Sequence, residues 1–229
     1  MIDLPSEKNR LTHIGERIEA ASLRSSNKSE SVKLIAVSKT FSDQRIRDVF
    51  KLGQRRFGEN YVQEAIDKID ALSDLDIEWH FIGPIQSNKT KLIAAKFDWV
   101  HSIDRLKIAE RLSAARPAEL PKLNVCVQVN VTGEQSKHGC SELDVMELGQ
   151  EIAALPNLNL RGLMTISETS GDLDAARSAF RKLREIADQM NQKGLKITEL
   201  SMGMSDDLEV GIEEGATFVR VGRGIFGDR

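Results

Sequence analysis

The sequence predicts an α/β protein, a single (β/α)8 barrel of the TIM type with an extra helix at its N-terminus. Three observations lead there. Short apolar runs alternate with amphipathic helical patterns about eight times along the chain, and strands alternating with helices imply a parallel sheet built from right-handed crossovers. The length, 229 residues, suits eight such units closed into one barrel. No GxGxxG follows the first strand, which counts against the alternative, an open doubly wound sheet. With no linker, repeat or low-complexity stretch in view, residues 1–229 read as one domain.

The elements follow in order. Between residues 5 and 26, Leu11, Ile14, Ile18 and Ala21 recur at three- and four-residue intervals. They form one stripe of an amphipathic helix, which precedes the first strand and packs outside the barrel. The run KLIAVSK (33–39) leads to a helix with Ile46, Val49 and Phe50 on one face, and RRFGEN (55–60) leads to YVQEAIDKIDAL. The third strand, EWHFIG (78–83), passes through a Gly-Pro turn into SNKTKLIAAKF, and DWVHSID (98–104) passes into RLKIAERLSAA. NVCVQVNV (124–131) is followed, after a polar loop, by ELDVMELGQEIAAL. NLRGLMTI (159–166) precedes a long helix from Leu173 to Met190, where Ala176, Phe180, Leu183 and Ala187 keep the helical period. ITELSMG (197–203) leads into DDLEVGIEEG, and TFVRVGRGIFG (217–227) closes the chain.

Composition excludes several classes. Hydrophobic residues make up 40% and charged residues 29%, with a formal net charge of −3. That is a soluble globular profile without the basic footprint of a nucleic-acid binder. No apolar stretch reaches membrane-spanning length, and MIDLPSEKNR has no apolar core of a secretion signal. Cys126 and Cys140 make no CxxC, so a disulfide framework is not expected and a reducing, cytoplasmic compartment is. His13, His80, His101 and His138 show no HxH or HExxH spacing, which argues against a metal site. There is no GxSxG elbow and no Walker loop.

Barrel sites form at the carboxyl ends of the strands. The residues that close the strands here are Lys39, Asn60, His80, Ser102, Asn130, Thr165, Ser201 and Arg220, a polar ring on otherwise apolar runs. Lys39 ends the first run. Burial at a barrel mouth disfavours an ammonium, and a neutral amine can attack an aldehyde to form a Schiff base. The competing reading is a strand-end lysine that snorkels to water or pairs with a carboxylate. The loops after strands seven and eight form the recurrent phosphate site of this barrel. SMGMSDD (201–207) offers Ser205 as an N-cap, and VRVGRGIFG (219–227) sets glycines after the last strand, where backbone can approach a ligand. Asp206 and Asp207 read as helix-capping acids. Arg220, between two valines, needs a partner, either an acid such as Glu59 or an acceptor on a ligand. His80 reads as structural.

Six motifs in order carry a resemblance over nearly the whole chain: AVSKT (36–40), FGENYVQEA (57–65), WHFIGPIQSNK (79–89), LRGLMTI (160–166), SMGMSDD and VRVGRGIFG. Together they resemble the pyridoxal phosphate homeostasis proteins. That resemblance implies an alanine-racemase-type barrel of the fold type III class, with pyridoxal 5'-phosphate (PLP) on Lys39 as a Schiff base. It implies phosphate contacts from the loop Ser201 to Ser205 and from Gly222, Arg223 and Gly224. Arg220 would face the pyridine nitrogen, Asn60 would lie beside the ring, and Lys137 would make a secondary contact from its loop. It also implies a monomer, with PLP and apo-enzymes that receive it as partners.

An arginine against the pyridine nitrogen disfavours its protonation and weakens the ring as an electron sink. Racemisation further needs acid–base groups on both faces of the substrate carbon. The resemblance assigns the second such group to a tyrosine on an additional β-domain, which is not expected in a chain ending just after the eighth strand, and the only tyrosine is Tyr61. The expectation is a non-enzymatic protein that buffers or transfers PLP. The alternatives are a low-activity PLP-dependent amino-acid racemase and, without the resemblance, a Schiff-base aldolase on the same barrel.

Overall fold

The structure, a computed structural model, describes residues 6–25, 32–133, 138–167 and 172–227. Eight parallel strands close into a barrel in chain order. They are β1 (Lys33–Val37), β2 (Arg56–Glu59), β3 (Glu78–Phe81), β4 (Trp99–Ile103), β5 (Leu123–Gln128), β6 (Leu158–Met164), β7 (Glu199–Ser201) and β8 (Phe218–Val221). Closure comes from β1 against β8, with Lys33 opposite Phe218 and Ile35 opposite Arg220. The barrel expectation holds, and the open sheet is excluded.

Successive strand residues face opposite sides, and this divides the core in two. Ile35, Trp99, Cys126, Met164 and Phe218 form a small cluster inside the barrel. The large cluster, with Phe57, Trp79, Phe81, Val100 and Val125, lies between the strands and the helices. Those helices are α2 (Asp43–Lys51), α3 (Val62–Ala71), α4 (Thr90–Lys96), α5 (Leu106–Ala115), α6 (Val145–Ala153), α7 (Leu173–Gln192) and α8 (Leu208–Glu213).

The extra helix α1 (Glu7–Arg24) is capped by Ser6, whose hydroxyl accepts the Asn9 N–H at 3.3 Å. It buries Ile14 and Ala21 and is tied to α8 by Arg17, which makes a two-pronged pair with Glu209 at 2.6 and 2.8 Å. The segment after β8 differs from the loop expected of its glycines: Arg223–Phe226 is a helical turn, α9. Gly224 serves close packing, since a Cβ there would meet Val221 at 2.8 Å and Ile14 at 3.0 Å. Ser205 is likewise not a helix cap. Asp207 holds the N-cap position of α8, and Ser205 lies in the preceding turn with its carbonyl accepting from Arg17 at 2.9 Å. The carboxylate of Asp207 takes the Met204 N–H and the Ser167 hydroxyl, so this acid organises the loop while α8 starts beyond it.

Candidate functional site

Lys39 lies two residues past the end of β1 and is half-buried. It is the second residue of a turn closed by the Phe41 N–H on the Ser38 carbonyl at 3.1 Å. Thr40, third in the turn, has φ 69° and is the one non-glycine residue with positive φ among those described. Behind the turn lies a buried polar cluster. The Ser38 hydroxyl donates to Glu59 Oε1 at 2.6 Å. Lys68 of α3 donates to the Ser38 carbonyl at 2.8 Å, to Glu59 Oε1 at 2.8 Å and to Glu64 Oε1 at 2.6 Å. The Thr40 N–H donates to Glu64 Oε1. Burial raises the Glu59 carboxyl above its usual range against the pull of Lys68.

Arg220 is buried inside the barrel. Glu59, proposed as its acid partner, is bonded to Ser38 and Lys68 instead, because the alternation of β2 turns it outward. Arg220 donates to two neutral oxygens, Ser201 Oγ at 2.8 Å and the Thr165 carbonyl at 2.9 Å. Burial depresses its guanidinium to a pKa of about 10, so it is cationic at neutral pH.

From Ser201 a buried chain runs down the barrel. Ser201 Oγ meets His101 Nδ1 at 2.8 Å, His101 Nε2 meets His80 Nδ1 at 2.9 Å, and His80 Nε2 meets Glu78 Oε1 at 2.9 Å. Its two ends set its direction: a guanidinium only donates and a carboxylate only accepts. With both imidazoles neutral, Arg220 donates to Ser201, Ser201 to His101, His101 to His80 and His80 to Glu78, and each group in the line is satisfied. Burial holds His80 below its ordinary value and His101 well below it, which agrees with neutral rings. Burial alone would raise the Glu78 carboxyl, but the hydrogen bond from His80 and the bond and charge of Arg56 outweigh it and leave the group below its usual range. The rings pack against Trp99 and Phe218, with His80 stacked on Trp99 at 5.8 Å.

Around this centre stand the other candidates. Asn60 follows β2, and its Oδ1 is buried with no hydrogen-bond partner, an orphaned acceptor suited to a ligand donor. Gly83 lets the end of β3 seat against it, since a Cβ there would lie 2.2 Å from the Asn60 carbonyl oxygen. The loops after β7 and β8 are stitched together. The Arg220 N–H donates to the Gly203 carbonyl at 3.0 Å, and exposed Arg223 pairs with Asp206 at 3.0 Å. Gly222 and Gly224 lie in the second loop and the first turn of α9. The Ser201 hydroxyl is engaged beneath Arg220 and not directed into its loop. Thr165 and Ser102 close their strands with hydroxyls on backbone carbonyls, Val129 at 3.0 Å and Gly83 at 2.6 Å. Lys137 lies outside the described residues.

Sequence reasoning missed His101, Lys68 and Glu64. For His101 a signal existed: it falls two residues after Trp99 in β4, in the same inward phase as His80 in β3. Lys68 and Glu64 are spaced i, i+4 on a helix, which reads as an ordinary surface pair until the strands are placed.

The alanine racemase N-terminal domain family matches residues 11–229. The chain belongs to that family. Within it, the pyridoxal phosphate homeostasis protein of Pseudomonas aeruginosa is 52% identical over 219 residues, covering 96% of this chain and 94% of the relative. PipY of Synechococcus elongatus PCC7942, solved with PLP bound, superposes with a TM-score of 0.86 at 35% identity, over 97% of this chain and 100% of PipY. Alanine racemase from Corynebacterium glutamicum shares the fold at a TM-score of 0.71 and 14% identity, and this chain spans 62% of its length.

Proposed function

We propose that this protein binds pyridoxal 5'-phosphate reversibly, with Lys39 taking the aldehyde as a Schiff base, and that it serves in PLP homeostasis by buffering or transferring the cofactor. The observation that carries this reading is Arg220. A buried guanidinium whose side-chain hydrogen bonds go to neutral oxygens has no directly bonded carboxylate among the described residues, and it sits on the strand adjacent to the one that leads to Lys39. A desolvated cation so placed attracts an electron-rich acceptor such as an unprotonated pyridine nitrogen.

The orphaned Oδ1 of Asn60 supports a ligand donor at the ring, and the stitched loops Gly203–Ser205 and Gly222–Gly224 support an anionic tail. PLP supplies an electrophilic aldehyde and an electron-withdrawing ring. Arg220 disfavours protonation of that ring, which biases the site towards holding the aldehyde over amino-acid turnover. Tyr61, the sole tyrosine, is 55% exposed at the N-cap of α3, a poor position for a second acid–base group. In this reading the protein works as a cytoplasmic monomer whose partners are PLP and the apo-enzymes that take it up.

The test is borohydride reduction of PLP-saturated protein followed by peptide mapping. The expected product is one adduct on Lys39, absent from Lys39→Ala, which keeps its fold because a strand-end amine supports no core contact. An unmodified Lys39 peptide overturns the reading. Sustained PLP-dependent turnover of an amino-acid panel, lost in Lys39→Ala, would favour the racemase alternative.

A further inference from the structure

The turn that carries Lys39 is held from behind. A positive φ at its third position has the form of a type II turn, where glycine or asparagine is usual. A β-branched residue there, Thr40 at φ 69°, is strained and persists only where the surroundings over-determine it. The surroundings are side chains of α3. Glu64 accepts the Thr40 N–H, and Lys68 donates to the Ser38 carbonyl. The peptide groups on both sides of Lys39 therefore end on one helix. Lys68 spends all three ammonium donors on this cluster, and Glu59 anchors the Ser38 hydroxyl. Ser38 and Glu59 face outward from their strands, while Lys39 falls in the inward phase with Ile35.

We infer that Glu64 and Lys68 are positioning residues for Lys39, holding the Ser38–Phe41 turn so that the amine meets the ligand aldehyde in one orientation. The inference rests on Lys39 being the aldehyde-binding amine. In the step itself, the amine nitrogen forms a bond to the aldehyde carbon. It gives up its two protons to the carbonyl oxygen, which leaves as water, so C=N replaces C=O without any redox change. A loosened turn spreads the amine over many positions and lowers its effective concentration at the aldehyde. In this reading the ring and phosphate are held by Asn60 after β2 and by β7, β8 and their loops, none of which belongs to the turn, so those contacts stay as they were.

Two ligands separate these contributions. Pyridoxine 5'-phosphate carries an alcohol where PLP carries the aldehyde, so it reports ring and phosphate binding without Schiff-base formation. For Glu64→Ala and Lys68→Met, PLP adduct formation followed by stopped-flow absorbance should slow by about 10-fold or more. Glu64→Gln keeps an acceptor for the Thr40 N–H and should stay within about 3-fold of wild type. Calorimetric affinity for pyridoxine 5'-phosphate should be unchanged in all three.

An adduct rate in Glu64→Ala equal to wild type overturns the inference. So does a loss of pyridoxine 5'-phosphate affinity in proportion to the loss of PLP. Glu64 is about a third exposed, so its variants carry the test if Lys68→Met does not fold. In the unliganded wild type the Thr40 amide should exchange slowly with solvent, and exchange at the rate of a free peptide also sinks the inference. A wild-type protein with no adduct on Lys39 would fail the parent reading instead, a separate result.

Discussion

Ser201 shows how much one small side chain holds at this site. Its hydroxyl accepts from Arg220 and donates to His101, at 2.8 Å each, in a place with no solvent exposure. Ser201→Ala leaves a guanidinium donor and an imidazole acceptor without partners, so it should destabilise the protein by about 1–3 kcal/mol. Chemical denaturation checks this. The variant should also retain PLP less well, because the Thr165 carbonyl becomes Arg220's one remaining fixed partner of the two. Of the residues around this centre, Lys39 and Arg220 stand out in the sequence because each is a charged group at the end of, or inside, an apolar run. Ser201 was legible as a strand end, but its hydroxyl's role was not. A hydroxyl's partners depend on which strands flank it, and the neighbours of β7 are known only once the barrel closes.

At the scale of elements, four strands share one hydrogen-bonded line. Glu78 and His80 come from β3, His101 from β4, Ser201 from β7 and Arg220 from β8. The two imidazoles have folded pKa values below the ordinary 6.5, so the folded state favours their neutral forms. The stability this supplies is fully present above pH 6.5 and is lost as pH falls from there through the lowered folded values. The melting temperature should therefore fall between pH 7.5 and pH 5.5. The fall should shrink in His80→Gln/His101→Gln, measured by calorimetry at the two pH values. The strands themselves were plain from alternating patterns, and so were the long helices. Short α9 was not, because VGRGIFG has the composition of a loop, and the close seat of Gly224 against Ile14 of α1 is a tertiary contact.

At the scale of the whole molecule, the extra helix closes the outer shell over the loops of the site. α1 reaches α8 through Arg17 and Glu209 and reaches α9 through Arg10, which donates to the Ile225 carbonyl at 2.6 Å. Ile14, 1% exposed, is its main apolar anchor. Ile14→Ala should cost about 3 kcal/mol and lower the melting temperature by about 6–12 °C, read by thermal denaturation. Because α8 and α9 frame the loops after β7 and β8, the same variant should loosen ligand binding without touching a ligand contact. Among the described residues no helix is long and apolar enough to cross a membrane, and no cluster of histidines, cysteines and acids could hold a metal ion.

The sequence by itself determined the barrel, its strand order along the chain, and the lysine and arginine at its mouth. Periodicity, length and a charge set within apolar surroundings are local properties, readable along the chain. Tertiary structure alone decided what those charges touch. It turned Glu59 away from Arg220 and onto Lys68, and it threaded two histidines into a line of fixed direction. It also set the i, i+4 pair Glu64 and Lys68 against the backbone on either side of Lys39. The reason is geometric: partners 9 to 100 residues apart in sequence meet only when eight strands close and each side chain is committed to the inside or the outside of the barrel.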